Sequence, residues 1–222
     1  MSKLYRLHGQ AGSRIWKPLW CMRELGIVEQ AELSDVPIKI GRTVEIFPGE
    51  DDKREYYVNN VNPNGRMPAL EDLEKGLTLF DSAAINIYLC KKHESELAPK
   101  DAAEDALCTQ WAVWGAFEAE QDIVLLMIAQ MMKDEARKKA RTTELWDKLE
   151  RPMNALNISL GKSGEYLLGD RFTVADLNAE SVLDWGLRVP GYEDHIKSNY
   201  PLAHAWMTKI RARPHHHANQ NA

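Results

Sequence analysis

The run from Asn62 to Leu89, NPNGRMPALEDLEKGLTLFDSAAINIYL, constrains the fold more than any other part of the chain. Asn62-Pro63-Asn64-Gly65 is dense in residues that favour turns. Met67-Pro68-Ala69-Leu70 follows, apolar but with a proline where a strand begins. Pro68 has no N–H to offer a sheet ladder, so it belongs at a strand's first residue or on an edge. Gly76 separates this from a second short apolar run, Leu77 to Phe80. Asp81-Ser82 closes that run and opens a helical pattern through Ala83, Ile85, Ile87, Tyr88 and Leu89. Local physics alone predicts a hairpin followed by a capped helix. The same Asp-Ser pair leaves backbone N–H groups and a hydroxyl at a helix N-terminus, which suits a carboxylate ligand.

The 222 residues suffice for one large domain or two modest ones, and 44% hydrophobic with 27% charged residues is ordinary for a soluble globular protein. A net charge of −5 argues against a general nucleic-acid or anionic-membrane surface. No apolar run approaches the ~20 residues that span a bilayer, and MSKLYRLHGQ has no signal-peptide core. The expectation is a cytoplasmic protein with no membrane or nucleic-acid partner. Cys21, Cys90 and Cys108 are widely spaced in helical patterns, which reads as reduced thiols in or near a core. There is no Cys-x-x-Cys, and His215 to His217 lie in a polar tail, so no metal site is expected.

Before the opening run the pattern is strand (Leu4 to Leu7), loop (Gly9 to Ser13) and helix (about Ile15 to Leu25). Pro18 fits only in that helix's first turn, and Gly26 is a natural cap. A second strand is expected between Ala31 and Val36 or Ile38, then a charged loop over Gly41 to Asp52 and a short helix over Asp51 to Val61. The N-terminal part is thus a small mixed α/β domain. Everything after Pro99 is helical. Asp101 to Lys133 reads as one long helix, and Glu135 to Leu160 as a second with Leu145, Leu149, Leu156 and Leu160 inward and Pro152 bending it. Thr173 with Asp176 three residues on resembles a capping box, flanked by Phe172 and Leu177 as a hydrophobic staple. Tyr200-Pro201 opens a last helix.

Four segments in this order resemble the cytosolic glutathione transferases over nearly the whole chain. They are Leu4-Tyr5 leading to Leu19-Trp20…Arg23-Glu24-Leu25-Gly26, then Asn62 to Leu70, then Phe80-Asp81-Ser82-Ala83-Ala84-Ile85…Tyr88-Leu89, and last Phe172 to Asp176. The resemblance implies a thioredoxin-like glutathione-binding domain over 1–92, a linker over 93–100 and an all-helical domain over 101–222 that supplies the electrophile pocket. It implies glutathione as co-substrate, a small hydrophobic electrophile as the other partner, and a homodimer.

The resemblance also assigns roles. Pro68 matches the family's cis-proline, with the Met67 backbone facing the cysteinyl part of glutathione. Asp81 and Ser82 match the pair that holds the γ-glutamyl end, Ser82 taking its carboxylate and Asp81 its ammonium. Arg66 and Arg14 are candidates for a glutathione carboxylate. The thiol-activating group is sought in the loop Leu7-His8-Gly9-Gln10-Ala11-Gly12-Ser13-Arg14. Ser13 is its one hydroxyl and fits the serine-type classes, and otherwise serves as a helix cap; His8 is a rival, and Cys21, in the helix interior, is not. A thiol titrates near ~8.5, and lowering that by two units takes about 2.7 kcal/mol. One hydrogen bond to a charged group supplies roughly 1.5–3 kcal/mol, so a donating Ser13 suffices. Trp111, Trp114 and Glu118, spaced i, i+3, i+7, are expected on one helical face, and with Trp16 and Trp185 they could line an aromatic pocket; as an alternative they are core. The reaction implied is transfer of the glutathione thiolate to the electrophile. Glutathione-dependent ether cleavage or isomerisation, and a catalytically silent binding or regulatory protein, stand as alternatives.

Overall fold

A computed structural model describes residues 3–10, 13–34 and 51–216. The chain divides into two compact units, Met1–Ser95 and Glu96–Ala222.

The first unit runs β1 (Tyr5–His8), α1 (Trp16–Glu24), a 3₁₀ turn (Val28–Gln30), β2 (Ala31–Ser34), α2 (Asp51–Asn60), β3 (Ala69–Asp72), β4 (Leu77–Phe80) and α3 (Ser82–Lys92). The strands form one sheet in the order β2-β1-β3-β4, parallel only between β1 and β2. That is the mixed α/β arrangement the sequence predicts, with β1 shifted by one residue from Leu4–Leu7. The part of the second strand expected beyond Ser34, and the charged stretch at 41–50, lie outside the described residues. Tyr5 and Leu7 of β1, Leu70 of β3, Trp20 and Met22 of α1, and Ile85 and Leu89 of α3 are fully buried and make the core.

Local chemistry explains the ends of these elements. Pro18 is the third residue of α1, where an intrahelical N–H is not required. Gly26, at φ 68°, stops α1 in a left-handed cap. Its N–H donates to the Arg23 carbonyl at 3.0 Å and the Ile27 N–H to that of Met22 at 2.9 Å, the paired bonds of a Schellman end. At the other end of α3, Lys92 Nζ binds Asp72 Oδ2 at 2.5 Å and Glu74 Oε2 at 3.0 Å. The Tyr88 hydroxyl also donates to Asp72 Oδ2, at 2.6 Å. This ties the β3–β4 turn to α3. Burial pushes the Asp72 carboxyl up, but bonds from Lys92, Tyr88 and the Lys75 N–H outweigh it and hold its pKa below the usual value. A depressed folded-state pKa gives stability that is present above the unfolded value and is lost as pH falls through the folded one. Asp72→Asn therefore flattens the acid limb of the stability profile below about pH 4, measured by circular dichroism against pH. An acid limb of unchanged slope would show that the carboxylate carries no such linkage.

The second unit runs α4 (Ala102–Trp114), a π-helical turn (Gly115–Ala119), α5 (Glu120–Ala129), α6 (Glu135–Ser163), α7 (Val174–Leu183), a 3₁₀ turn (Asp184–Arg188), α8 (Tyr192–Asn199) and α9 (Pro201–Arg211). One expectation is corrected here. Asp101 to Lys133 is not one regular helix: the π turn interrupts it, and α5 stops at Ala129. Gly115 lies against α7, where an added Cβ would stand 3.2 Å from Val182 Cγ2. A π turn places an extra residue in the helix and rotates the downstream turns, and Phe117 within it is 82% exposed. By contrast α6 is continuous through the buried Pro152, with Leu145, Leu149, Leu156 and Leu160 all buried.

The Thr173–Asp176 capping box is present and fully buried. Asp176 Oδ2 accepts from the Thr173 N–H at 2.9 Å and the Thr173 hydroxyl at 3.0 Å. Its Oδ1 accepts from the Leu167 N–H at 2.8 Å and Trp206 Nε1 at 2.9 Å. One carboxylate thus joins the start of α7, the loop before it, and α9.

Candidate functional site

Strand register places three of the predicted segments at one end of the sheet. His8, the last residue of β1, pairs with Ala69, the first of β3, and Ala69 pairs with Phe80, the last of β4. The loop after His8, the dipeptide Met67-Pro68 and the dipeptide Asp81-Ser82 therefore all leave the sheet at the same edge. The Met67–Pro68 peptide bond is cis, as the resemblance implies.

The turn before Met67 is braced from within. Asn62 Oδ1 accepts from the Asn64 N–H at 3.0 Å, and the Gly65 N–H donates to the Asn62 carbonyl at 2.9 Å. The Arg66 carbonyl accepts from both the Tyr57 hydroxyl at 2.6 Å and Asn62 Nδ2 at 2.7 Å. The Met67 side chain packs on Tyr57, Val61 and Ala69. Sequence reasoning did not find Tyr57 and Asn62 as braces. The Asn-Pro-Asn-Gly chemistry signalled Asn62, but nothing local ties Tyr57 to Arg66. Among the described residues nothing bonds the Met67 N–H or carbonyl, so this segment presents an unpaired strand-like edge. Arg66 itself is exposed.

Asp81 caps α3 in an unusual backbone conformation, φ 74°, and its Oδ1 accepts from the Ala83 N–H at 3.0 Å. Positive φ on a non-glycine residue is held by its surroundings and is commonest at functional positions. One carboxylate oxygen of Asp81 thus serves the cap while the side chain stays exposed. Ser82 is 9% exposed, and no described residue bonds its hydroxyl. The Ser82 hydroxyl thus stands at the first residue of α3, a position whose chemistry suits an anion.

The activator loop is drawn inward. Ser13 is 5% exposed and its hydroxyl donates to the Gln10 carbonyl at 2.7 Å. The Ile15 N–H approaches Ser13 Oγ at 3.4 Å. The hydroxyl proton is therefore held by the turn that begins α1. Arg14 is exposed. His8 is buried, with Nε2 2.7 Å from Glu71 Oε1 and its ring edge-on to Tyr57 at 5.6 Å. Both of these partners lie within the sheet and its cover. Cys21 and Cys90 are fully buried with their sulfurs 3.7 Å apart, and the neighbouring thiol together with burial pushes Cys21 well up. That keeps it a thiol and remote from nucleophilic chemistry.

The residues expected around the electrophile have varied surroundings. Trp16 is half-buried and stacks on Trp20 at 6.4 Å. Trp111 is 5% exposed and meets the half-buried Trp114 edge-on at 5.3 Å. The π turn begins after Trp114 and contains Glu118, so the i, i+3, i+7 spacing does not run through regular helix, and Glu118 pairs with Arg151 of α6. Trp185 is buried under the Arg188 guanidinium, 4.2 Å from the ring centroid.

The two units match two family models: residues 13–92 the glutathione S-transferase N-terminal domain, and residues 120–214 the C-terminal domain. The chain belongs to the glutathione S-transferase family. Its similarity to a probable glutathione S-transferase of Oryza sativa subsp. japonica is 31% identity over 187 residues, covering 78% of this chain and 82% of that one. A structure of glutathione S-transferase I from mais, in complex with an atrazine glutathione conjugate, is 25% identical with a TM-score of 0.74, covering 95% and 93% of the two chains. Ure2p in complex with glutathione has the same fold, with a TM-score of 0.76 at 20% identity over 99% of each chain. Among the described residues no helix is long and apolar enough to cross a membrane.

Proposed function

We propose that this chain binds glutathione at the sheet edge of its N-terminal unit and transfers the thiolate to a small hydrophobic electrophile. The unpaired Met67 backbone beside the unpaired Ser82 hydroxyl carries the reading. The cysteinyl backbone of glutathione pairs with Met67 as an added strand would. The γ-glutamyl carboxylate takes the Ser82 hydroxyl and the N-terminus of α3, and the exposed Asp81 carboxylate takes the ammonium. Arg66 and Arg14, both exposed, are the proposed partners of a glutathione carboxylate. Ser13 is the proposed thiol donor, after its hydroxyl turns from Gln10 to the sulfur. Trp16, Trp111, Trp114 and Glu118 are the proposed electrophile contacts, with Trp114 preferred among the helical three because it is not fully buried. A homodimer and a cytoplasmic detoxifying role belong to the same proposal, and ether cleavage or isomerisation through the same thiolate is its nearest variant.

Calorimetric titration of glutathione tests the binding; a chain that takes up none sinks the whole reading. A hydrogen bond to a charged group contributes about 1.5 kcal/mol or more, so Ser82→Ala is expected to weaken glutathione roughly tenfold with the unfolding midpoint unchanged. Equal affinity in the variant would remove Ser82 from the site.

One observation favours a second reading, a glutathione-binding protein without transferase activity: the Ser13 proton is already held by the Gln10 carbonyl. The ultraviolet absorbance of bound glutathione near neutral pH separates the two. Thiolate absorbance supports catalysis, and its absence supports the silent protein.

A further inference from the structure

The C-terminal unit brings together a group that the transfer reaction does not use. Glu180 of α7 and Asp184, one helical turn on, share a face, and His216 reaches them from the turn after α9. Glu180 and His216 are fully buried, and Asp184 is 9% exposed. His216 Nε2 lies 3.2 Å from Glu180 Oε2. One donor atom from each of the three residues lies within 4.8 Å of the others.

We propose that Glu180, Asp184 and His216 form a binding site for a divalent transition-metal ion of the zinc type, which fastens the end of the chain to α7. Ligand atoms at ~2.0–2.1 Å from a tetrahedral Zn²⁺ stand roughly 3.3 Å apart, the separation already found between Glu180 and His216. The Asp184 donor atom lies within 4.8 Å of the other two, so binding would draw it inward. An imidazole with two carboxylates selects zinc and its neighbours over Mg²⁺ or Ca²⁺, which take oxygen alone.

A second observation points to the same place. The Tyr192 hydroxyl is buried and makes no hydrogen bond among the described residues, and the charges of Glu180 and Asp184 both act on it. Its ring tip is fixed over Gly186, where an added Cβ would fall 2.2 Å from Tyr192 Cζ. A phenol so held orients a ligating carboxylate by donating to it, the usual support for a metal ligand. Arg211 Nε stands 3.7 Å from Asp184 Oδ1, an ion pair that a metal bound by Asp184 would have to share. The competing account is an ion pair of Glu180 and His216 that holds no metal.

Histidines 215 to 217 are adjacent in sequence, but His215 is exposed while His216 is buried, so single substitutions separate the site from loose chelation by the tail. The test is titration of the chelator-treated full chain with ZnCl₂, by calorimetry and by thermal unfolding, and with Co²⁺ by visible absorption. The expected result is one ion per chain and an unfolding midpoint raised by roughly 5–10 °C at a hundredfold excess over Kd. His216→Ala and Glu180→Gln should abolish both, and the double variant His215→Ala/His217→Ala should keep both. Zinc uptake that survives His216→Ala, or that disappears with His215 and His217, overturns the proposal, as does an unfolding midpoint indifferent to the metal. Should Glu180→Gln fail to fold, His216→Ala and the wild-type Co²⁺ spectrum decide. Inner-sphere bands that His216→Ala removes support the site, and their absence in wild type rejects it.

Discussion

Asp176→Ala is expected to cost the protein about 3–5 kcal/mol of stability, a large share of the roughly 5–15 kcal/mol a native protein has to lose. The carboxylate is fully buried and accepts four hydrogen bonds, from Thr173 N–H and Oγ1, Leu167 N–H and Trp206 Nε1. Alanine leaves the two backbone N–H groups and the indole N–H without their acceptor in a fully buried site. Each such orphan costs about 1–3 kcal/mol, reduced where the chain relaxes. Thr173→Ala removes the cap and one of the four bonds to Asp176, about 1–2 kcal/mol. Asp176→Asn, which keeps one carbonyl but turns an NH₂ towards donors, should fall between them. Urea unfolding of the full chain, followed by far-ultraviolet circular dichroism, ranks the three. Asp176→Ala within about 1 kcal/mol of wild type would falsify the view that one carboxylate unites α7, its preceding loop and α9.

The second large effect is expected in chemistry. Ser13→Ala should raise the pKa of bound glutathione by about two units and lower kcat/KM roughly 25-fold at pH 7, approaching a hundredfold at lower pH, leaving KM for glutathione nearly unchanged. The size follows from one hydrogen bond to a thiolate, about 1.5–3 kcal/mol. The Gln10 carbonyl sets a condition on it. Ser13 must exchange a neutral bond for a charged one when the thiolate arrives, and charged bonds are roughly twice as strong, so the exchange runs towards the sulfur. The pH profile of kcat/KM is the measurement. A profile with the same midpoint in wild type and Ser13→Ala would move the role elsewhere in the loop, or to the backbone.

The sheet edge was legible because its signals are local. A proline at a strand start, a Gly-containing turn and an Asp-Ser pair before an apolar helix each state their own geometry, and strand register then brings them together. The capping box was legible for the same reason. Asp176's reach to Leu167 and Trp206 was not, since those partners arrive through packing of distant segments. The spacing of Trp111, Trp114 and Glu118 reads as regular helix, and the π turn over Gly115–Ala119 is announced by no short pattern. His216 is hidden similarly. In sequence it is one of three histidines in a polar tail, and only the path of α9 carries it to Glu180.

The π turn has a consequence for how this helix can change over evolution. It acts as a phase shift between two halves of one rod. Upstream, Cys108 and Trp111 face inward; downstream, Ile123, Leu126 and Ala129 do. Losing one residue between Gly115 and Ala119 would restore an unbroken helix, but it would swing one half by roughly a hundred degrees about the axis. Either the tryptophans or the apolar stripe of α5 would then leave its neighbours. Substitutions at the exposed Ala116 and Phe117 are therefore tolerable where deletions are not, while Gly115 and Ala119, packed inside, constrain composition as well as length.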